Sequence, residues 1–266
     1  MTPAETLNVA LIQADLHWRS IDANLAAFEE KIWSISEKQD LIILPEMFTT
    51  GFTMEPEEVA EVVNSKTYRW LAQMAKQTEA VMMGSAIINI SGNYFNRMII
   101  AHPDGSFQHY DKVHLFTLAG EDGSFSPGTD RTIFEVKGWK CLPQICYDLR
   151  FPVWSRSRGT EEQLYEYDVI IYSANWPTPR VQSWDALLKA RAIENYVYSI
   201  GVNRVGQDGY GKDYNGHSAI YDYLGNALSF MQDTEQIGLV QLKRSELNTY
   251  REQFPFQKDG DAFTLS

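Results

Sequence analysis

Apolar residues along the first ninety positions follow two alternating periods. Leu7-Asn-Val-Ala-Leu-Ile-Gln13 is an apolar run of strand length. It is followed by Ile21, Leu25, Phe28, Ile32 and Ile35, whose steps of four, three, four and three put them on one helix face. A strand over Leu41–Leu44, a helix around Thr67–Gln77 with the apolar stripe Trp70, Leu71, Met74 and Ala75, and a strand over Val81–Ile87 repeat the pattern. From Asn89 to Lys112 the texture changes to β-hairpins, with Ser91-Gly-Asn93 and Pro103-Asp-Gly105 as turn signals. The strand Asp168–Ser173 and a helix from near Ser183, burying Trp184, Leu187, Leu188 and Tyr196, come next. The strands Tyr198–Asn203, Ser218–Tyr221 and Ile237–Leu242 complete the set. Strands alternating with helices in both halves predict a layered α/β architecture with mixed sheets. No solenoid-type repeat or low-complexity tract marks a boundary, so residues 1–266 read as a single domain.

Three of these strands end in residues able to do chemistry. In Leu41-Ile-Ile-Leu-Pro-Glu46, Pro45 closes a strand just before a carboxylate, and in His109-Tyr-Asp-Lys112 a lysine follows another strand-like stretch. In Cys141-Leu-Pro-Gln-Ile-Cys146, a thiol stands where an apolar run gives way to a helix whose first turn suits Pro152. Open α/β sheets collect ligands at the carboxyl ends of strands, and a helix start there can stabilise a thiolate or an oxyanion. Glu46, Lys112 and Cys146 could thus supply a base, a cation and a nucleophile. Taken alone, a free cysteine is more often a small buried hydrophobe.

The segments LPEMFTTGF with Glu46, YDKVHLF with Lys112, AGEDGSFSPG with Glu121 and CYDLRFPVWSR with Cys146 occur in an order and spacing that resemble the nitrilase (carbon-nitrogen hydrolase) superfamily. SANWPTPR, ARAIENYVYSIGVNRVG and YREQFPF resemble its bacterial omega-amidase branch, and so does Val153, where many relatives outside that branch have glutamate. The resemblance implies a four-layer α-β-β-α sandwich, commonly dimeric, and a Glu46-Lys112-Cys146 triad with Glu121 as a second active-site glutamate. It further implies that Glu46 deprotonates Cys146, that the thiolate attacks an amide carbonyl, and that Lys112 and the N–H of Tyr147 hold the oxyanion. Glu121 would position Lys112 and the substrate. The implied substrates are 2-oxoglutaramate and 2-oxosuccinamate, and no metal or organic cofactor has a role. Another amide, carbamoyl or nitrile substrate, transfer to acceptors other than water, and a catalytically silent scaffold all remain open from the triad alone.

The net charge of −12, from 35 acidic against 23 basic residues, disfavours nonspecific attraction to nucleic acid or an anionic membrane. No apolar run approaches the roughly 18 residues needed to span a bilayer. The two cysteines lie five positions apart in one apparent strand, about 16 Å between Cα atoms, beyond the roughly 7 Å a disulfide tolerates. With no disulfide framework and an N-terminal segment lacking a basic region and a long apolar run, a cytoplasmic setting is expected.

Competing chemistries find little support. None of the five histidines lies in a cysteine-protease motif, and His109 and His114 flanking Asp111 are poorly spaced for one metal ion. No GxSxG elbow occurs, and Gly206–Gly211 lacks the helix and lysine of a nucleotide site. The carboxylate of a keto-acid substrate needs a cationic partner if it enters a partly buried pocket. Arg150, four residues past Cys146, and Arg180, beyond Trp176 and Pro177, are the candidates. The alternative for Arg150 is an ion pair with Asp148 or Glu194. Trp176, Tyr147 and Phe125 are the expected apolar walls.

Overall fold

The computed structural model describes residues 3–160, 163–261 and 263–264. One sheet contains β1 (Thr6–Gln13), β2 (Leu41–Ile43), β3 (Glu61–Val62), β4 (Val81–Ile90), β5 (Asn93–Ala101), β6 (Phe107–Asp111) and the last strand, β15 (Gln236–Lys243), in the order β15-β1-β2-β4-β5-β6 with β3 beside β4. The other contains β7 (Phe134–Val136), β8 (Trp139–Ile145), β9 (Val169–Ser173), β10 (Tyr198–Val202), β13 (Ala219–Tyr221) and β14 (Ala227–Phe230), in the order β14-β13-β10-β9-β8-β7. A separate hairpin joins β11 (Val205–Gln207) to β12 (Asp213–Asn215). Both sheets are mixed: β1, β2 and β4 run parallel, as do β8, β9 and β10, and the remaining neighbours are antiparallel except for the β3–β4 pair.

Side-chain alternation along the strands builds the layers. In β1, Leu7, Val9 and Leu11 meet Cys141, Ile145, Val169 and Ile171 of the second sheet, whereas Ala10 and Ile12 face the opposite way. That outer face is covered by α1 (Ile21–Trp33) and α3 (Lys66–Thr78), through Leu25, Phe28, Ile32, Leu71 and Met74. A single turn, α2 (Pro56–Val59), precedes α3. On the far side of the second sheet, Leu142, Ile170 and Tyr172 pack against Trp184, Leu188 and Ala192 of α6 (Val181–Asn195). The result is the expected α-β-β-α sandwich.

Two further short helices bear on the site, α4 (Glu121–Ser124) and α5 (Pro152–Ser155). The helix expected from Pro152 is therefore one turn long. The apolar pattern also did not indicate α7 (Arg244–Gln253), which buries only Leu247 and Arg251. Arg251 is held by Asp168 at 2.9 Å and by the carbonyl oxygens of Tyr196 and Tyr167, so a buried ion pair docks this helix in place of an apolar stripe.

The strand ends of both sheets meet at one end of the sandwich. Ser173 at the end of β9 donates from Oγ to the carbonyl of Leu44 just past β2, at 2.7 Å, and so stitches one sheet to the other there. The loop after β6 is fastened to the same place by Gly128 N, which donates to Lys112 O at 2.9 Å, and Ser126 N, which donates to Tyr94 O at 2.8 Å. A Cβ at Gly128 would lie 2.2 Å from Asp111 O, so only glycine lets this loop approach the Lys112 backbone.

Candidate active site

Glu46, Lys112, Glu121 and Cys146 converge where these strand ends meet. Lys112, immediately past β6, donates from Nζ to Glu46 Oε1 at 2.9 Å and to both oxygens of Glu121 at 3.0 and 2.9 Å. Glu46 and Glu121 are fully buried and Lys112 is 1% exposed. Glu121 reaches inward from α4, and its Oε2 also accepts the Phe116 N–H at 2.6 Å. Glu46 is fixed from three sides, by Lys112, by Asn96 Nδ2 at 2.8 Å and by Asn175 N at 2.8 Å. Asn175 Nδ2 also donates to the Glu46 carbonyl at 2.6 Å.

Cys146 begins a 3-10 turn, Cys146–Arg150, with φ +43. A non-glycine residue there costs on the order of 1–3 kcal/mol and is kept only where the surroundings impose it. The Asp148 carboxylate supplies much of that constraint. It accepts from Ile145 N at 2.9 Å, from Tyr110 OH at 2.8 Å and from His114 N at 3.1 Å, and His114 Nδ1 lies 2.7 Å away. It thereby ties the elbow under Cys146 to the chain on either side of Lys112. His114, stacked on Phe151 at 3.8 Å, serves this network.

The two cysteines occupy different settings. Cys141 is inside β8, fully buried between the sheets. Cys146 is already outside the strand and partly exposed, touching the cores on both sides of the second sheet, so strand alternation does not describe its direction. Iodoacetamide is therefore expected to modify the native protein at Cys146 alone and to reach Cys141 only after denaturation, as read by peptide mass mapping. An adduct on Cys141 in the native protein would contradict this placement.

The charges are balanced by burial and pairing. Burial alone would lower the Lys112 ammonium, but Glu121 and Glu46 outweigh it and hold it above the ordinary lysine range. Burial lifts the Glu121 carboxyl, with Lys112 pulling the other way. Burial and the Glu46 charge together push the Cys146 thiol well above its ordinary range, against Lys112. The thiol thus rests protonated at neutral pH, and a nucleophilic thiolate requires a base within reach.

A cavity opens over Cys146 and Lys112. Of the expected binding residues, Tyr147, Arg150, Trp176 and Arg180 line it. Phe125 is not among its lining residues; it packs with Met47, Phe52 and Ile87 in a small core. Phe52 and Phe116, together with Asn175, Pro177, Lys212 and Tyr214, supply wall that sequence reasoning did not name. Asn175 and Pro177 flank Trp176 in the quoted SANWP motif and could have been found there. Asn96 and Tyr214 carried no local signal. Neither expected partner pairs with Arg150: Asp148 is occupied as described, and Glu194 pairs with Arg191. The Arg150 guanidinium lies over Trp176, and that of Arg180 over Phe116, each 5.0 Å from the ring centroid.

A two-sheet sandwich that joins a thiol, a carboxylate and an ammonium at its strand ends defines a class of thiol-dependent hydrolases. The chain belongs to the carbon-nitrogen hydrolase family, whose model matches residues 8–252. It is 42% identical over 261 residues to the omega-amidase YafV of Yersinia enterocolitica, covering 98% of this chain and 99% of that one. It is 32% identical over 254 residues to the 2-oxoglutaramate amidase of Bacillus subtilis, covering 94% and 96%. Among solved structures, a CN-hydrolase superfamily protein of Xanthomonas campestris with an arsenic adduct in its active site superposes with a TM-score of 0.96 at 37% identity, covering 99% of this chain and 100% of that one.

Proposed function

We propose that this carbon-nitrogen hydrolase is an omega-amidase, cleaving the terminal amide of keto-acid monoamides such as 2-oxoglutaramate and 2-oxosuccinamate to the dicarboxylate and ammonia. One observation carries this reading: the cavity floor holds Cys146 and Lys112, while Arg150 and Arg180 line its walls without a carboxylate partner among the described residues. Two uncompensated guanidinium groups beside a nucleophile suit a substrate with an anionic end. The names of the relatives point to the same substrates.

In this reading Glu46 takes the Cys146 proton as Sγ attacks the amide carbon. Lys112 Nζ and the Tyr147 N–H stabilise the resulting oxyanion, each contributing about 3 kcal/mol, or roughly 100-fold in rate. The C–N bond breaks as Glu46 returns the proton to the departing ammonia, leaving a thioester on Cys146. Water deprotonated by Glu46 attacks the thioester, and the proton ends on the released thiol. Glu121, which accepts from Lys112 with both oxygens, positions the ammonium. Each step conserves charge within the Glu46–Lys112–Cys146 set and calls on no metal or organic cofactor.

The direct test is ammonia release from a panel of keto-acid ω-amides, simple amides and nitriles. The keto-acid amides are expected to have the highest kcat/KM, and a preference for nitriles or uncharged amides would refute the assignment. A neutral replacement of Arg150 or Arg180 should raise KM for 2-oxoglutaramate about tenfold or more and change hydrolysis of a short uncharged amide little. Equal losses on both substrates for both variants would remove the arginines from carboxylate recognition.

The same reading takes residues 1–266 as one domain, in a cytoplasmic homodimer or higher homo-oligomer. A core shared by both sheets supports the single domain, and two free cysteines fit a reducing, cytoplasmic setting. No helix among the described residues is long and apolar enough to cross a membrane. Light scattering of the purified protein tests the assembly.

A further inference from the structure

The β11–β12 hairpin contributes two residues to the cavity, Lys212 and Tyr214. Buried cations elsewhere are neutralised in place, as Arg97 is by Asp111 and Arg204 by Asp15, whereas Lys212 is exposed to solvent and lines the cavity. Among the described residues its ammonium has no carboxylate partner, and it sits 6.0 Å from the centroid of the Tyr210 ring. The Asp208 carboxylate of the same hairpin is already engaged. Its Oδ1 accepts Tyr210 N and Lys212 N, both at 2.9 Å, and its Oδ2 accepts Tyr214 OH at 2.9 Å.

The hairpin is also held firmly against the rest of the molecule. Tyr210 OH accepts from Met54 N at 3.2 Å and meets Glu55, which pairs with Arg19, and the Tyr210 ring packs edge-on to Trp18 at 5.0 Å. A Cβ on Gly209 would lie 2.2 Å from Trp18 Nε1, so the turn sits directly on that indole. Ser124, at the end of the helix that carries Glu121, donates to Met54 O at 2.8 Å and anchors the same loop to the floor of the site. A cation presented from a fixed hairpin reads an anion at low ordering cost.

We propose that Lys212 is a specificity-determining residue that binds the substrate carboxylate together with the arginines, so that the β11–β12 hairpin selects anionic amides. This deepens the omega-amidase reading and rests on it. Lys212→Met should raise KM for 2-oxoglutaramate about tenfold, the usual loss for a charge-assisted contact, while kcat stays within about threefold. Lys212→Glu should raise KM further, and Lys212→Arg should stay close to the wild-type value. An unchanged KM in both the Met and Glu variants, or a fall in kcat with constant KM, overturns the proposal.

A second measurement separates this outcome from failure of the functional reading. The rate at which iodoacetamide modifies Cys146 is followed with and without 2-oxoglutarate. Protection in the wild type that weakens in Lys212→Met supports the assignment even if 2-oxoglutaramate is not hydrolysed. Equal protection in both proteins, or none in either, overturns it.

Discussion

Cys146→Ala is expected to abolish amide hydrolysis, lowering kcat by roughly 10⁴- to 10⁶-fold, the range seen when a covalent nucleophile is removed from an intact site. The substitution deletes only Sγ. Alanine at φ +43 bears the same backbone strain as cysteine, and the Asp148 bonds that shape the elbow do not involve the thiol. Folding should therefore be preserved, with a near-UV spectrum and melting temperature like those of the wild type. The complementary measurement is mass spectrometry of acid-quenched turnover mixtures, which should show the acyl group on Cys146 in the wild type. An acyl group on Cys141, or on neither cysteine, would refute the assignment of the nucleophile.

Lys112→Gln should damage both stability and turnover, for one electrostatic reason. Lys112 is the ammonium lying between two buried carboxylates, and removing it leaves Glu46 and Glu121 facing each other without a countercharge. Breaking a buried pair in this way costs about 3–5 kcal/mol, and loss of the proposed oxyanion contact should lower kcat about 100-fold or more. Lys112→Arg should not rescue activity, since a planar guanidinium does not replace a compact ammonium.

The double variant Lys112→Gln/Glu121→Gln removes one charge of each sign. It should recover most of the stability in urea titrations and none of the turnover. A double variant as unstable as the single one would show that packing, not charge, holds this cluster together, and near wild-type activity in Lys112→Gln would remove Lys112 from the oxyanion site. The pH dependence has a definite sign. A lysine whose pKa is raised by folding adds stability that is fully present below its unfolded value, near 10.4, and lost as pH rises through the folded value. The contribution of the Lys112 ammonium to the gap between wild type and Lys112→Gln should thus be lost only in strongly alkaline solution.

The strands and long helices that carry an apolar period were legible in the chain, from β1 and α1 through α6 and β15. Where burial is achieved by other means, periodicity was silent. The helix α7 is docked by the Arg251–Asp168 pair, and the short edge strands β7 and β14 are only three and four residues long. Glu46, Lys112 and Cys146 each stood in a recognisable motif beside a strand end, since the chemistry calls for particular side chains at the carboxyl edge of a sheet, and Glu121 stood in a motif of the segment between β6 and β7. Phe125 packs in the core beside Phe52, because an aromatic residue near a site in the chain can face either the cavity or the core behind it, and only packing distinguishes these.

By itself, then, the sequence determined the elements that carry an apolar period, the layered class and the candidate reactive side chains, because each depends on local periodicity or on residue type within a short segment. Only the tertiary structure decided how those side chains act together. Glu46 and Lys112 come from one sheet, Cys146 comes from the other, and Glu121 arrives on a loop that Gly128 lets lie against the Lys112 backbone. Their mutual charges, the countercharge each carboxylate finds, and the cations left unpaired around the cavity depend on distances between segments far apart in the chain. Those distances are set by how the two sheets stack, which no single stretch of residues encodes.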